Sequence, residues 1–232
     1  MKRILLIVLL LACSSFVFGQ VPDILCTQVN EDGSTTIYYN TVNSPNFAEY
    51  TISSFNSTSN SYVRIDGVTS ISQSIYTDNS IDNNSNANQI KYSVSSGAAN
   101  VSYANTMYLT LTNLTNSSFR LKWTSPHPSS SSPLVGTNGQ SYTIYRMFAS
   151  EGQWQQVGTT LDTIYIDNFL LRCSDTVSYR VELPNIYGCS SVSNVKKIII
   201  GDHEIPLEPV LLSSSVDVSS QSLNLEWTPS IS

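Results

Sequence analysis

The chain is short of most residues that carry chemistry. Histidine occurs twice in 232 residues, as His127 and His203. Both stand in Pro- or acid-rich segments, with no nucleophile in a strand–turn–helix setting beside them, so nothing matches a Ser–His–Asp or Cys–His arrangement. Charged residues are only 12% of the chain, about half the usual share, and no long run of one sign occurs. The cysteines show no C-x-x-C spacing, which argues against zinc. Beyond the N-terminus no apolar stretch approaches the roughly 20 residues of a membrane-spanning helix, and no segment of ten or more keeps a helical period.

Asp78 and Asp167 are the one pair of carboxylates that invites a glycoside-hydrolase reading. They fall at equivalent places in two repeats, which would hold them far apart in stacked modules, and an Asx turn closing each strand is the expectation. The loop Asp78, Asn79, Asp82, Asn83, Asn84 is rich in oxygen, but it lacks the EF-hand spacing and a closing glutamate. No metal, cofactor or catalytic residue is expected.

At the N-terminus, Lys2 and Arg3 precede an unbroken apolar run from Ile4 to Ala12, and Phe16-Val17-Phe18 extends it to Gly19-Gln20. This is the layout of a secretory signal peptide over residues 1–19, with cleavage near Gly19 and Gln20. Leu10-Leu11-Ala12-Cys13 offers the alternative of lipidation at Cys13, although the segment after Cys13 stays apolar and Leu11 is bulky for that motif. Removing residues 1–19 takes two of eleven basic residues and none of seventeen acidic ones, so nine face seventeen and the mature net charge is −8. Such a chain repels phosphate backbones, which excludes nucleic acid as a partner class.

Internal repetition is the strongest positive signal. Phe119-Arg120-Leu121-Lys122-Trp123 alternates apolar and charged residues, and Leu223-Asn224-Leu225-Glu226-Trp227 repeats it, with Thr35 to Tyr39 a weaker copy. Tyr50-Thr51-Ile52 matches Tyr142-Thr143-Ile144, and Ile75 to Asn79 matches Ile164 to Asn168. Lys91 to Val94 matches Ser178 to Val181, and Ser102 to Asn105 matches Ser191 to Asn194. The order is the same throughout. It predicts all-β sandwich modules at residues 22–105 and 106–201, each of about seven short strands, and the truncated start of a third at 205–232. Trp123 and Trp227 end alternating strands and are expected in cores, whereas Trp154 sits in a polar hairpin-like segment where its ring can meet either the sandwich edge or a ligand. The junction near residue 106 has no linker, which predicts a stiff joint, while 201–206 is polar and reads as a hinge. Residues 125–140, rich in Pro, Ser and Gly, predict a mobile surface loop.

The Trp ending the second strand, Tyr142-Thr143-Ile144-Tyr145-Arg146 on the third, and Ser193-Asn194 closing the last resemble fibronectin type III domains. Val177 stands where that family places the tyrosine of its corner. Pro22 to Cys26 with Asn30 to Gly33, Tyr179 to Pro184 with Gly188 to Asn194, and Phe18-Gly19-Gln20 together resemble large exported proteins of the Bacteroidota. In these, such modules precede a gliding-motility-associated sorting domain read by the type IX secretion system. The resemblance implies a non-catalytic secreted or cell-surface protein, exported across the inner and then the outer membrane. Its monomeric modules would act as spacers or adhesion units, with loop tips 125–140 and 185–189 meeting a protein or glycan. The alternative is an accessory spacer or carbohydrate-binding region of a larger secreted hydrolase.

Three cysteines remain after residue 19, namely Cys26, Cys173 and Cys189. Cys173 and Cys189 are nearest in sequence and form the default disulfide. The eight or nine strand residues between them span about 27 Å at ~3.3 Å each, against the ~7 Å limit between bridged Cα atoms. A folded-back loop, free thiols and pairing elsewhere all stay open.

Overall fold

Alternating burial makes the strands. In Ser118–Trp123, Phe119, Leu121 and Trp123 point inward while Arg120 and Lys122 point to solvent, the period of two that a half-buried strand requires. Thr35–Tyr39 and Tyr50–Asn56 follow the same rule with Ile37, Tyr39, Tyr50 and Ile52 inward. The computed structural model describes residues 21–97, 101–129, 133–170, 175–200 and 210–228. The proposed signal peptide with Cys13, Gly19 and Gln20, the residues around Cys173, and the hinge with His203 lie outside the described residues.

The first sandwich contains β1 (Ile24–Val29), β2 (Thr35–Tyr39), β3 (Tyr50–Asn56), β4 (Ser61–Val68), β5 (Ile75–Asp78), β6 (Lys91–Ser95) and β7 (Val101–Asn105). A single 3-10 turn, Ile81–Asn83, follows β5. The second sandwich contains β8 (Leu109–Thr115), β9 (Ser118–Trp123), β10 (Tyr142–Phe148), β11 (Gln155–Thr160), β12 (Ile164–Asn168), β13 (Asp175–Pro184), β14 (Ser190–Val192) and β15 (Lys196–Ile200). In each module a three-stranded layer faces a longer one: β1-β2-β5 against β4-β3-β6-β7, and β12-β9-β8 against β11-β10-β13 with β14 and β15. β14 and β15 both pair with β13, along its end and its start respectively, as two halves of one interrupted strand. The chain thus builds tandem β-sandwiches of the fibronectin type III kind.

The first core is built on Ile24, Ile37, Tyr39, Tyr50, Ile52, Tyr92 and Val94. The second is built on Leu109, Phe119, Leu121, Trp123, Ile144, Tyr179 and Val181. Each large apolar side chain so buried contributes about 1.5–3 kcal/mol. β1 and β2 are joined by a tight turn at Glu31-Asp32-Gly33, with Gly33 at φ +88° and its N–H on the Asn30 carbonyl, a conformation open to glycine without steric cost.

β16 (Leu211–Asp217) and β17 (Ser222–Trp227) form a separate two-stranded hairpin, registered from Leu211 opposite Trp227 to Asp217 opposite Ser222. All its strand residues are exposed. Trp227 is 58% exposed, not a core residue as its strand position predicts, because among the described residues no layer faces this hairpin. Trp123, at the matched position, is 3% exposed.

Candidate functional site at the module junction

The two sandwiches meet without a linker. Ala104, Asn105, Thr106 and Met107 are all buried as the chain passes from β7 toward β8. Thr106 donates its N–H to the Ile90 carbonyl, and Gln89 Nε2 bonds the Thr106 and Ser125 carbonyls at 3.2 and 3.1 Å. β1 of the first module runs parallel to β14 of the second, with Gln28 opposite Val192, which fuses one layer from each module into an eight-stranded sheet. Thr27 N donates to Ser191 Oγ at 3.2 Å and Gln28 Nε2 to the Ser190 carbonyl at 3.2 Å. β14 thereby covers the free edge of β1.

Cys26 on β1 is disulfide-bonded to Cys189 on the loop between β13 and β14, with Cα atoms 6.3 Å apart. The expected Cys173–Cys189 bond is therefore not formed. β13 alone is ten residues long, from Asp175 to Pro184, a run of about 33 Å at ~3.3 Å per residue. The crosslink joins two modules rather than the ends of one strand.

The described residues of the 125–140 segment, 125–129 and 133–140, are tied into the junction. Asn105 donates its N–H to the Pro126 carbonyl and its Nδ2 to the His127 carbonyl at 2.7 Å. Leu134, 3% exposed, completes the core of the first module although it belongs to the second. Asn185, from the 185–189 loop, donates Nδ2 to the Leu25 and Val135 carbonyls. Gly136 sits at φ +83°, and a Cβ there would run into the Asn185 carboxamide and the Tyr187 ring. Both loops expected to meet partners are anchored in the junction, while Ile186 and Tyr187 stay exposed at the loop tip. His127 is half-buried: its Nδ1 accepts the Leu134 N–H at 3.1 Å, and burial lowers its pKa below the usual imidazole value.

Asp78 and Asp167 are buried in different modules. Asp78 does form the expected turn, accepting the Ser80 N–H at 3.0 Å, but its other oxygen accepts from Asn83 Nδ2 and the Tyr92 hydroxyl at 2.7 and 2.8 Å. Asp167 is bound instead by Arg146 Nη1 and the Tyr179 hydroxyl, both at 2.7 Å. Burial, followed by the adjacent carboxylate, pushes both tyrosine hydroxyls far up, so they remain neutral donors. These are core supports. Tyr92 and Tyr179 recur in register with Asp78 and Asp167, a co-repetition that would have pointed to the contact. Among the described residues no three His, Cys, Asp or Glu side chains converge as metal ligands. Trp154 packs on the Arg180 guanidinium 4.6 Å away, whose other neighbours are the Tyr145 ring at 5.2 Å and Glu182 at 2.9 Å.

No family model and no curated protein matches this chain. Among solved structures it is similar to the FN1–FN3 domains of chicken CNTN1, at 16% identity over 79% of this chain and 68% of that one, TM-score 0.32. It is also similar to titin domains A168–A170, at 16% identity over 78% of this chain and 62% of that one, TM-score 0.34. The twitchin kinase region of C. elegans matches at 18% identity over 51% of this chain, TM-score 0.33, and the chain spans 19% of its length. The fold assignment rests on the strand order above. No helix among the described residues is long and apolar enough to cross a membrane.

Proposed function

We propose that this chain is a non-catalytic exported protein whose two sandwiches act as one stiff spacer, holding an adhesive or sorting region away from the cell. The observation that carries this reading is the Cys26–Cys189 crosslink between modules, reinforced by a shared sheet and by Leu134 seated in its neighbour's core. A bond of this kind persists in oxidising compartments, in keeping with the basic and apolar N-terminal segment. The Bacteroidota-like motifs extend the reading to passage through the type IX secretion system and a link to gliding motility.

Two measurements test it. Antibody labelling of intact cells is expected to find the protein at the surface or in the medium, and a purely cytoplasmic pool overturns the export half. NMR relaxation at pH 7.5 is expected to give one rotational correlation time for both modules, and two independent times overturn the spacer half.

A further inference from the structure

The junction contains one side chain whose protonation state is fixed by geometry. A backbone N–H can only donate, so the Leu134 N–H at 3.1 Å from His127 Nδ1 requires that nitrogen to be bare. The ring is therefore neutral, with its proton on Nε2. The bond closes the loop on itself seven residues apart, at the point where Leu134 enters the first module's core. The carbonyl of the same histidine accepts from Asn105 of the first module. One residue thus holds the loop's shape through its ring and its docking through its backbone.

We propose that protonation of His127 releases residues 126–129 and 133–137 from the first module, while the Cys26–Cys189 bond and the β1–β14 pairing keep the modules attached, so that acidification loosens the joint between them. This rests on the stiff-spacer reading. A proton on Nδ1 sets one N–H against another and leaves a part-buried backbone donor without an acceptor.

The surroundings offer the cation little compensation. In the groove that His127 lines, the loop contributes Ser125 and Thr137, β10 contributes Tyr142, β13 contributes Leu183, and the segment between β11 and β12 contributes Thr163. No Asp, Glu, Lys or Arg lines this groove. Tyr142 is its other titratable group, and burial pushes that hydroxyl up, so it stays neutral. The first module presents the amides of Asn105 and Gln89, and Asp23 lines the adjoining groove beside Pro128 and Pro133. In sign, the docked ring binds a proton less readily than a free one. The clamp is thus at full strength above the free-imidazole value of about 6.5 and is lost as pH falls through the lower docked value.

The test is amide exchange and relaxation on the whole disulfide-bonded chain at pH 7.5 and 5.0, both above the ordinary carboxylate range. The Leu134 amide, corrected for intrinsic exchange, is expected to lose protection by about tenfold or more. The loss should share the midpoint of the His127 ring signal, and residues 133–137 should gain local mobility, while Ile52 and Ile144 stay protected. His127→Phe should show the pH 5.0 behaviour already at pH 7.5 and respond no further. If that variant does not fold, the wild-type titration decides alone. A Leu134 amide still protected at pH 5.0 with the ring protonated overturns the switch while leaving the spacer reading intact. Separate tumbling already at pH 7.5 overturns both.

Discussion

The two sandwiches share a frame and differ in what completes it. The second is self-contained: its core draws only on residues 107–200, and its buried Asp167 is neutralised by Arg146 from its own β10. The first borrows. Its core includes Leu134 from its neighbour, and its Asp78 is held by a backbone N–H, the Asn83 amide and Tyr92 with no cation in that set. Repeated sequence therefore produced two modules of one shape but unequal independence, with the second serving as foundation for the first.

The largest expected effect breaks the stronger module. Arg146 is 15% and Asp167 5% exposed at the side chain, and the guanidinium also lies over the Phe148 and Phe169 rings at 5.0 and 5.2 Å. Arg146→Ala strands a buried carboxylate and is expected to cost about 3–5 kcal/mol. Urea unfolding followed by tryptophan fluorescence reads it, because Trp123 sits in that core. A loss under about 1 kcal/mol would mean that Tyr179 alone supports Asp167.

Leu134→Ala tests the borrowing directly. The side chain is supplied by the second module, yet the cavity opens in the first. The expected cost is about 2–4 kcal/mol, appearing in the exchange of Ile52 and Val94 amides and hardly in that of Ile144 and Val181. Equal losses in both modules would show that they unfold as one unit and that the asymmetry has no energetic content.

How far this was legible in the sequence follows the reach of each interaction. Strand alternation is local, so Phe119, Leu121 and Trp123 declared their buried face and the matched segments declared two sandwiches. The junction is not local. Leu134 stands in a loop whose Ser, Pro and Gly content suggests mobility, and nothing in that composition says that its side chain will find a neighbouring core. Proximity in sequence favoured Cys173 as the partner of Cys189, but strand length worked against that pair. A further clue was available: in the matched repeats Cys189 falls opposite Asn100, so this thiol has no counterpart in the first module and a bond between modules was the open option. Trp227 shows the converse, since an alternating strand states which side is apolar without supplying the layer that covers it.

The smallest effects sharpen the comparison most, because they separate charge from hydrogen bonding at matched positions. In Asp78→Asn the new carboxamide oxygen can still accept from Tyr92 and Asn83, and the Ser80 N–H loses its acceptor. One bond of that kind is worth about 1 kcal/mol. In Asp167→Asn the oxygen can again accept from Tyr179 and Arg146, but the nearly buried guanidinium loses its counter-charge, and a charge-assisted bond is worth about 1.5–3 kcal/mol. Denaturant midpoints for the two variants are therefore expected to fall in the order wild type, Asp78→Asn, Asp167→Asn. If the two substitutions cost the same, Arg146 contributes to the second module by packing between Phe148 and Phe169 rather than by its charge, and the difference between the modules reduces to the borrowed Leu134.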